Sequence, residues 1–161
     1  MAIKVGDRLP NATFRVMTAE GPKPKTTDDI FKGKKVALFA VPGAFTPTCS
    51  NAHMPSFVQN VAALKAKGID TIAVTAVNDV FVMEAWKKAS NAEGKIEFLA
   101  DGNGEFAKAL DLAFDGSGNG LGVRSKRYSM LVDNGVVKTL NIGDAPGKCD
   151  ISGGQNLLKQ L

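Results

Sequence analysis

The stretch Pro42-Gly43-Ala44-Phe45-Thr46-Pro47-Thr48-Cys49-Ser50 joins two segments of different periodicity. Before it, residues 36–41 (VALFAV) form an apolar run with the length and composition of a buried β-strand. After it, apolar residues recur at helical spacing from about residue 56 to residue 67. Cys49 is therefore predicted to lie where a strand passes into a helix. The unpaired N–H groups and the positive dipole end at the start of a helix favour thiolate over thiol, and the thiolate is the nucleophile.

The segments that follow continue the alternation of strand and helix. Strands are predicted at residues 69–77 and 96–100, with a helix after the capping pair Asn78-Asp79 and another from about residue 105 to 112. Such alternation predicts parallel strands joined by right-handed crossovers. A hairpin around Asp133-Asn134-Gly135 and a closing helix over residues 153–161 complete the pattern. We expect an α/β protein with a thioredoxin-like fold, in which helices flank a mixed central sheet, formed by one domain over residues 1–161.

Several local predictions are less regular. The first 35 residues are expected to pack on one edge of the domain, with a short strand at 12–17 and a loop at 20–25. Pro55 either opens the regular part of the helix over 56–67 or kinks a helix that begins near Cys49. The glycine-rich residues 116–122 miss the dinucleotide-binding pattern and are predicted to be a flexible loop. The apolar side of the helix after Asp79 is predicted to consist of Val82, Ala85, Trp86 and Ala89.

The composition excludes several classes of protein. With 44% hydrophobic and 22% charged residues in 161, the chain has the composition of a globular protein that is not disordered. The net charge of +4 does not indicate a nucleic-acid partner, because the basic residues are not interleaved with aromatic ones. No apolar run approaches the roughly 18–20 residues of a membrane span. The amino terminus lacks the pattern of a signal peptide, so a cytoplasmic location is expected.

The two cysteines do not form a recognisable metal-binding pattern. Cys49 and Cys149 lie 149 − 49 = 100 positions apart, and His53 is the only histidine. This spacing argues against a zinc site, and we expect neither a metal nor a cofactor. His53 follows Cys49 by four residues and invites comparison with a general base. A packed or hydrogen-bonded role is the favoured interpretation.

A nucleophilic Cys49 needs donors and a cation nearby. Thr46 precedes it by three residues, so its hydroxyl is expected to donate to the thiolate or to an incoming oxygen. Pro42 and Pro47 stiffen the loop and exclude water from its floor. An arginine would stabilise the thiolate, because its guanidinium stays charged. Spacing alone does not decide which arginine this is. Arg124 and Arg127 lie on either side of the start of the hairpin, so strand pairing could bring one of them close to the cysteine loop. The candidates are Arg8, Arg15, Arg124 and Arg127.

The pattern Pro42-x-x-x-Thr46-x-x-Cys49 resembles the active-site signature of the peroxiredoxins, and the full stretch from Pro42 to Ser50 is similar to their atypical type II, or peroxiredoxin-5-like, branch. Residues 94–101, residues 124–129 and the hairpin after them are also similar, so the resemblance extends over nearly the whole chain. It implies a thioredoxin-like thiol peroxidase that reduces hydrogen peroxide and small organic hydroperoxides. It also implies a homodimer joined near the active-site loops.

The resemblance implies a role for each matching residue. Cys49 is the peroxidatic cysteine, Thr46 and Arg124 bind the peroxide oxygens and stabilise the thiolate, and Pro42 shields the sulfenic acid. Arg124 is preferred to Arg127 as the match to the motif arginine.

The route of reduction is left open. Cys149 lies in the loop-like residues 145–150. In some members of the branch a resolving cysteine in this region closes an intrachain disulfide, whereas other members are reduced directly by an external thiol. Cys149 is therefore either a resolving cysteine or a non-catalytic thiol, and glutathione with glutaredoxin, or thioredoxin, is the expected donor. A non-enzymatic redox sensor or binding module, with Cys49 oxidation as its signal, is the competing function.

Overall fold

The computed structural model describes residues 2–46, 53–142 and 152–161. The predictions made for Cys49 and Cys149 lie outside these residues. The strands are β1 (Thr13–Thr18), β2 (Gly21–Thr26), β3 (Lys35–Ala40), β4 (Thr71–Ala76), β5 (Glu97–Ala100), β6 (Ala113–Asp115), β7 (Val123–Ser125), β8 (Tyr128–Asp133) and β9 (Val136–Ile142). The helices are α1 (Thr27–Phe31), α2 (Met54–Val58), α3 (Val61–Ala66), α4 (Val80–Ala89), α5 (Glu105–Ala109) and α6 (Gly154–Lys159).

Seven strands form one mixed sheet in the order β2-β1-β5-β4-β3-β8-β9. β3, β4 and β5 are parallel, as their alternation with helices predicts. The pairs β3–β8 and β8–β9 are antiparallel. The hairpin between β8 and β9 turns at Asn134 and Gly135, which both have positive φ, as an Asn-Gly hairpin requires. The predicted mixed sheet and its hairpin are confirmed.

The sheet separates two apolar layers. One face packs on α2, α3, α4 and α6, where Phe57, Trp86 and Leu157 are fully buried. The other face packs on α1 and α5 through Phe31 and Phe106. Within the described ranges, no helix has the length and apolar character that crossing a bilayer requires.

The prediction of a loop at residues 20–25 is wrong, because this segment is strand β2 at the edge of the sheet. The strand was not predicted because Pro22 and Pro24 are typical of loops. Proline lacks a donor and is tolerated on an edge strand, where it also discourages pairing with another chain.

The predicted helix over residues 56–67 is divided into α2 and α3. Asn60 marks the break, where its side-chain amide donates to the Ser56 carbonyl at 2.6 Å. Such a local side-chain bond competes with the backbone ladder of a helix. Pro55 lies in the first turn of α2, where its missing N–H costs little.

Two further predictions differ in detail from the structure. Asp79 caps α4 as predicted, by accepting the Val82 N–H at 2.8 Å. The buried side of α4 is formed by Val80, Met83 and Trp86, whereas Ala85 and Ala89 are exposed. The glycine-rich residues 116–122 connect β6 to β7, which pair as a small antiparallel sheet.

Candidate functional site

The loop formed by residues 42–46 follows β3 at the carboxyl ends of the parallel strands. Its backbone continues the sheet by one residue, since the Val41 N–H donates to the Thr75 carbonyl at 3.2 Å. The chain then leaves the sheet at Pro42. Ligand sites in open α/β sheets commonly lie outside these carboxyl ends.

The loop contains a backbone conformation that is rare for its residue type. Phe45 has φ +66°, in the left-handed region that normally favours glycine, and its side chain is exposed. A bulky residue in this region stores strain that the surrounding structure must hold. Strain of this kind is found preferentially at functional sites.

Thr46 closes the loop on itself. Its hydroxyl lies 2.7 Å from the Gly43 carbonyl, and its N–H donates to the same oxygen at 3.4 Å. Because a carbonyl only accepts, the hydroxyl hydrogen is donated to Gly43. The hydroxyl therefore presents lone pairs to an incoming group, which differs from the donor role that the sequence suggested.

Arg124, in β7, reaches the first residues of the loop. Its guanidinium donates to the Pro42 carbonyl at 3.4 Å and to the Leu121 carbonyl at 2.9 Å. Gly43 leaves the space for this approach, because a Cβ atom there would lie 2.8 Å from Arg124 Nη1. Arg124 and Pro42, two of the predicted site residues, are thus brought together beside Thr46.

The pairing of β8 with β3 places Arg127 in the same region. Tyr128, the next residue, pairs with Ala40 at the end of β3, so Arg127 lies near the start of the loop. Its guanidinium is buried and donates to His53 Nδ1 at 2.9 Å. Arg124 thus contacts the loop from β7, which is not part of the hairpin, whereas Arg127, directly before the hairpin, contacts His53.

His53 is fully buried against the rings of Phe39 and Phe57. Its Nε2 lies 2.9 Å from the Ser152 carbonyl, which accepts only, so Nε2 carries the proton. Nδ1 then accepts from Arg127 as the neutral imidazole. Since both ring nitrogens are engaged, this arrangement supports the packed, hydrogen-bonded interpretation and leaves no nitrogen to act as a general base.

The carboxyl-terminal segment is anchored to the helix that follows the loop. The Gly154 N–H donates to Ser56 Oγ at 3.0 Å, and that hydroxyl donates to the His53 carbonyl at 2.6 Å. Gly154 lies so near α2 that a Cβ atom would be 2.5 Å from the Ser56 carbonyl oxygen. Together with the bond from His53 to Ser152, these contacts fasten residues 152–154 to the first turn of α2.

Two buried polar side chains lie near the edge of the sheet where the loop begins: Asp101 directly follows β5, and Tyr128, the first residue of β8, pairs with Ala40. Burial raises the pKa of Asp101 above its usual value, although the N–H groups of Ala107 and Phe106 partly oppose the effect by donating to its carboxylate. Burial also raises the pKa of Tyr128, so its hydroxyl stays neutral. Neither group faces the loop through a recorded hydrogen bond.

Sequence reasoning did not assign two residues of this region. Asn78 accepts the Ala44 N–H at 2.9 Å, and only its capping position in Asn78-Asp79 was recognised. Arg127 was left as the second choice after Arg124. Its position immediately before β8 could have indicated this. Because β8 runs antiparallel to β3, the start of β8 lies beside the end of β3, where the loop begins.

Among the described residues, no group of three or more His, Cys, Asp or Glu side chains is arranged so that it could hold a metal ion.

The comparisons with known proteins identify the family. The Redoxin family model matches residues 4–158. Peroxiredoxin-2C of Oryza sativa subsp. japonica is 46% identical over 160 residues, which cover 99% of this chain and 98% of that protein. The crystal structure of reduced Prx3 from Vibrio vulnificus in complex with hydrogen peroxide has a TM-score of 0.93 and 51% identity, covering 98% of each chain.

A second solved structure agrees. Peroxiredoxin 5 from Alvinella pompejana has a TM-score of 0.84 and 39% identity, covering 98% of this chain and 96% of that one. These likenesses confirm the predicted thioredoxin-like fold. The chain therefore belongs to the peroxiredoxins, in their type II branch, and is a thiol-dependent peroxidase.

Proposed function

We propose that residues 42–49 form the peroxide site, with Cys49 as the peroxidatic cysteine. The Cys49 thiolate attacks one oxygen of the peroxide ROOH and the O–O bond breaks. The sulfur gains that oxygen as sulfenic acid and is oxidised, while the other oxygen leaves as RO⁻, takes up a proton and becomes ROH. Hydrogen peroxide and small organic hydroperoxides are the proposed substrates.

The observation that carries this proposal is the pair of arginines around the loop. Arg124 contacts Pro42 at the start of the loop, and Arg127 contacts His53, four residues after Cys49. Both guanidinium groups therefore approach the chain on either side of Cys49. Fixed positive charge there stabilises a thiolate and the negative charge that develops on the leaving oxygen.

Thr46 and Pro42 complete the proposed site. With its hydrogen donated to Gly43, the Thr46 hydroxyl accepts the hydrogen of the incoming peroxide and orients its O–O bond. Pro42, half-buried beside Arg124, shields the sulfenic acid from water. Arg124 binds a peroxide oxygen with the donors that its guanidinium does not spend on carbonyl groups.

Cys149 is proposed as the resolving cysteine. His53 and Ser152 are hydrogen-bonded, Cys49 precedes His53 by four residues, and Cys149 precedes Ser152 by three. At about 3.3–3.6 Å per extended residue, the chain keeps the Cys49 Cα within about 14 Å of the His53 Cα and the Cys149 Cα within about 11 Å of the Ser152 Cα. The Cys149 thiolate would attack the sulfur of the Cys49 sulfenic acid, forming an S–S bond as the S–O bond breaks, and the hydroxide that leaves takes up a proton to become water. An external thiol then reduces the disulfide.

The reductant, the cellular location and the oligomeric state of the enzyme are also proposed. Peroxiredoxins use thiol reductants of the thioredoxin type, and glutathione with glutaredoxin is the alternative donor to be tested here. A cytoplasmic, homodimeric enzyme is proposed. Three exposed apolar side chains support the dimer: Phe45 in the loop, Phe81 three residues after Asn78, and Val123 next to Arg124.

The decisive experiment measures peroxide consumption by the wild type, Cys49→Ser and Cys149→Ser with each thiol donor in turn. Cys49→Ser should abolish turnover, because serine supplies no thiolate. Cys149→Ser should retain oxidation of Cys49 in a single turnover and lose turnover with thioredoxin. Turnover near the wild-type rate in Cys49→Ser would reject the proposed site, and oxidation without turnover by any donor would favour a redox sensor.

The same samples test the disulfide. Non-reducing peptide mapping after one equivalent of peroxide should recover a peptide pair linked through Cys49 and Cys149 in the wild type. Its absence would leave Cys149 a non-catalytic thiol and the Cys49 sulfenic acid as the direct target of the external donor.

A further inference from the structure

We propose that Asn78 is a positioning residue for the peroxide reaction, acting through the loop of residues 42–46. The inference rests on the function proposed for that loop. Asn78 Oδ1 accepts the Ala44 N–H at 2.9 Å across 34 residues of chain, in a half-buried position. Asn78 does not touch the proposed reacting atoms. It fixes the backbone that carries Thr46.

The loop needs an external tether because its own hydrogen bonds are local. Thr46 bonds twice to the Gly43 carbonyl, which turns the chain but does not attach it to the rest of the protein. Between Gly43 and Thr46, Phe45 holds φ +66° against its intrinsic preference. Without a tether the loop can relax toward an ordinary conformation and move the Thr46 hydroxyl.

Two side chains from outside hold the described part of the loop. Arg124 reaches the Pro42 carbonyl at 3.4 Å from the end of a long side chain. Asn78 reaches Ala44 at 2.9 Å from a short one and bonds next to the strained residue. The asparagine is therefore the stiffer of the two attachments, and it acts where the strain is stored.

Asn78 is itself fixed by the elements around it. It lies between the end of β4 at Ala76 and Asp79, which caps α4 through the Val82 N–H. The next turn supports it from the other side, since the Asp101 N–H donates to the Ala76 carbonyl at 3.0 Å. The Asn78 carbonyl oxygen would lie 3.6 Å from a Cβ atom on Gly102. The contacts at the carboxyl end of β4 thus fix the position of Asn78, and its hydrogen bond to Ala44 fixes the position of the loop.

The test compares two reactions of Cys49 in Asn78→Ala. Reduced protein is mixed with hydrogen peroxide in a single turnover, and separately with iodoacetamide, with the Cys49 peptide followed by mass spectrometry. Alkylation needs only the thiolate, whereas reduction of peroxide also needs Thr46 in place. We expect the peroxide rate constant to fall by roughly tenfold to a hundredfold, as for a displacement of about 1 Å, while alkylation and its pH profile stay near those of the wild type.

Two variants complete the design. Asn78→Asp keeps an oxygen able to accept the Ala44 N–H and should recover most of the peroxide rate, with any effect of its charge visible in the alkylation profile. Asn103→Ala removes an exposed asparagine from a neighbouring turn and should leave both reactions unchanged. Melting temperatures are measured for all variants.

Each outcome bears on the inference. A peroxide rate in Asn78→Ala within twofold of the wild type overturns it. A parallel fall in peroxide reaction, alkylation and melting temperature also overturns it, since that is the result of general destabilisation, as does an Asn78→Asp variant no faster than Asn78→Ala. Failure of the proposed site itself is distinguishable, because it would appear as turnover by Cys49→Ser.

Discussion

Two guanidinium groups approach the proposed peroxide loop from different directions, and they differ in burial. Arg127 is buried, with its charge directed at His53, whereas Arg124 is half-buried and shares its donors between Pro42 and Leu121. A charge acts more strongly at low dielectric. Arg127 should therefore dominate stabilisation of the thiolate, and Arg124 should act mainly on the loop and the peroxide.

This difference predicts separable effects for Arg127→Gln and Arg124→Gln. Arg127→Gln should raise the pH midpoint of Cys49 alkylation, because it removes a buried positive charge bound to His53, four residues after Cys49. Arg124→Gln should lower the peroxide rate constant by on the order of 10² to 10³, as for the loss of one preorganised donor, with a smaller change in that midpoint. Rapid mixing with peroxide and alkylation across a pH series measure both. Equal shifts of the midpoint in the two variants would contradict the division of roles.

At the scale of elements, the contact between α6 and α2 depends on the absence of a side chain at Gly154. A Cβ atom there would lie 2.5 Å from the Ser56 carbonyl oxygen and 3.2 Å from the Phe57 Cα, both backbone atoms that cannot turn aside. Gly154 has φ outside the left-handed region, so steric contact rather than backbone conformation requires glycine. The docking of α6 in turn fixes Ser152 beside His53.

Gly154→Ala should therefore lower the free energy of unfolding by about 1–3 kcal/mol, the usual cost of overpacking. It should also slow formation of the proposed disulfide between Cys49 and Cys149, because residues 152–154 would move away from α2. Chemical denaturation and time-resolved peptide mapping provide the two measurements. Gly118→Ala is the matched control, since a Cβ atom there meets nothing within 4 Å. Equal stability of the two variants would refute the packing argument.

The elements also show which features a sequence can predict. The strand before Cys49 and the hairpin at Asn134 and Gly135 follow from local patterns, and both were predicted correctly. The edge strand β2 was missed, because its prolines are tolerated only by virtue of its place in the sheet. The break at Asn60 was missed because helical periodicity continues through it.

The candidate site likewise contains residues that local sequence could indicate and contacts that it could not. Thr46 and Pro42 belong to the motif itself, so the sequence and the family resemblance were enough to predict roles for them. The tether from Asn78 and the buried bond from Arg127 to His53 join residues 34 and 74 positions apart. Such contacts exist only once β3, β4 and β8 are adjacent, so spacing along the chain carries no record of them.

At the scale of the whole molecule, a few large apolar side chains are exposed, and most of them belong to the loop or are close in sequence to residues that contact it. Among the described residues, the exposed large hydrophobic side chains are Phe81 (65%), Val5 (58%), Phe45 (51%) and Val123 (43%). Phe45 belongs to the loop, Phe81 lies three residues after its tether Asn78, and Val123 precedes Arg124. A surface on which such side chains met would mark an interaction site, and the proposed occupant is a second copy of the chain.

Sedimentation of the reduced protein should accordingly give a mass near twice the 16.9 kDa of one chain. Phe81→Asp should dissociate the dimer, because a carboxylate buried at the interface would lose its hydration without gaining a partner. Val5→Asp makes the same change at an exposed valine near the amino terminus and should leave the mass unchanged. A wild type that sediments as one chain at all concentrations would refute the dimer. A dimer that Val5→Asp dissociates and Phe81→Asp does not would move the interface away from the peroxide loop.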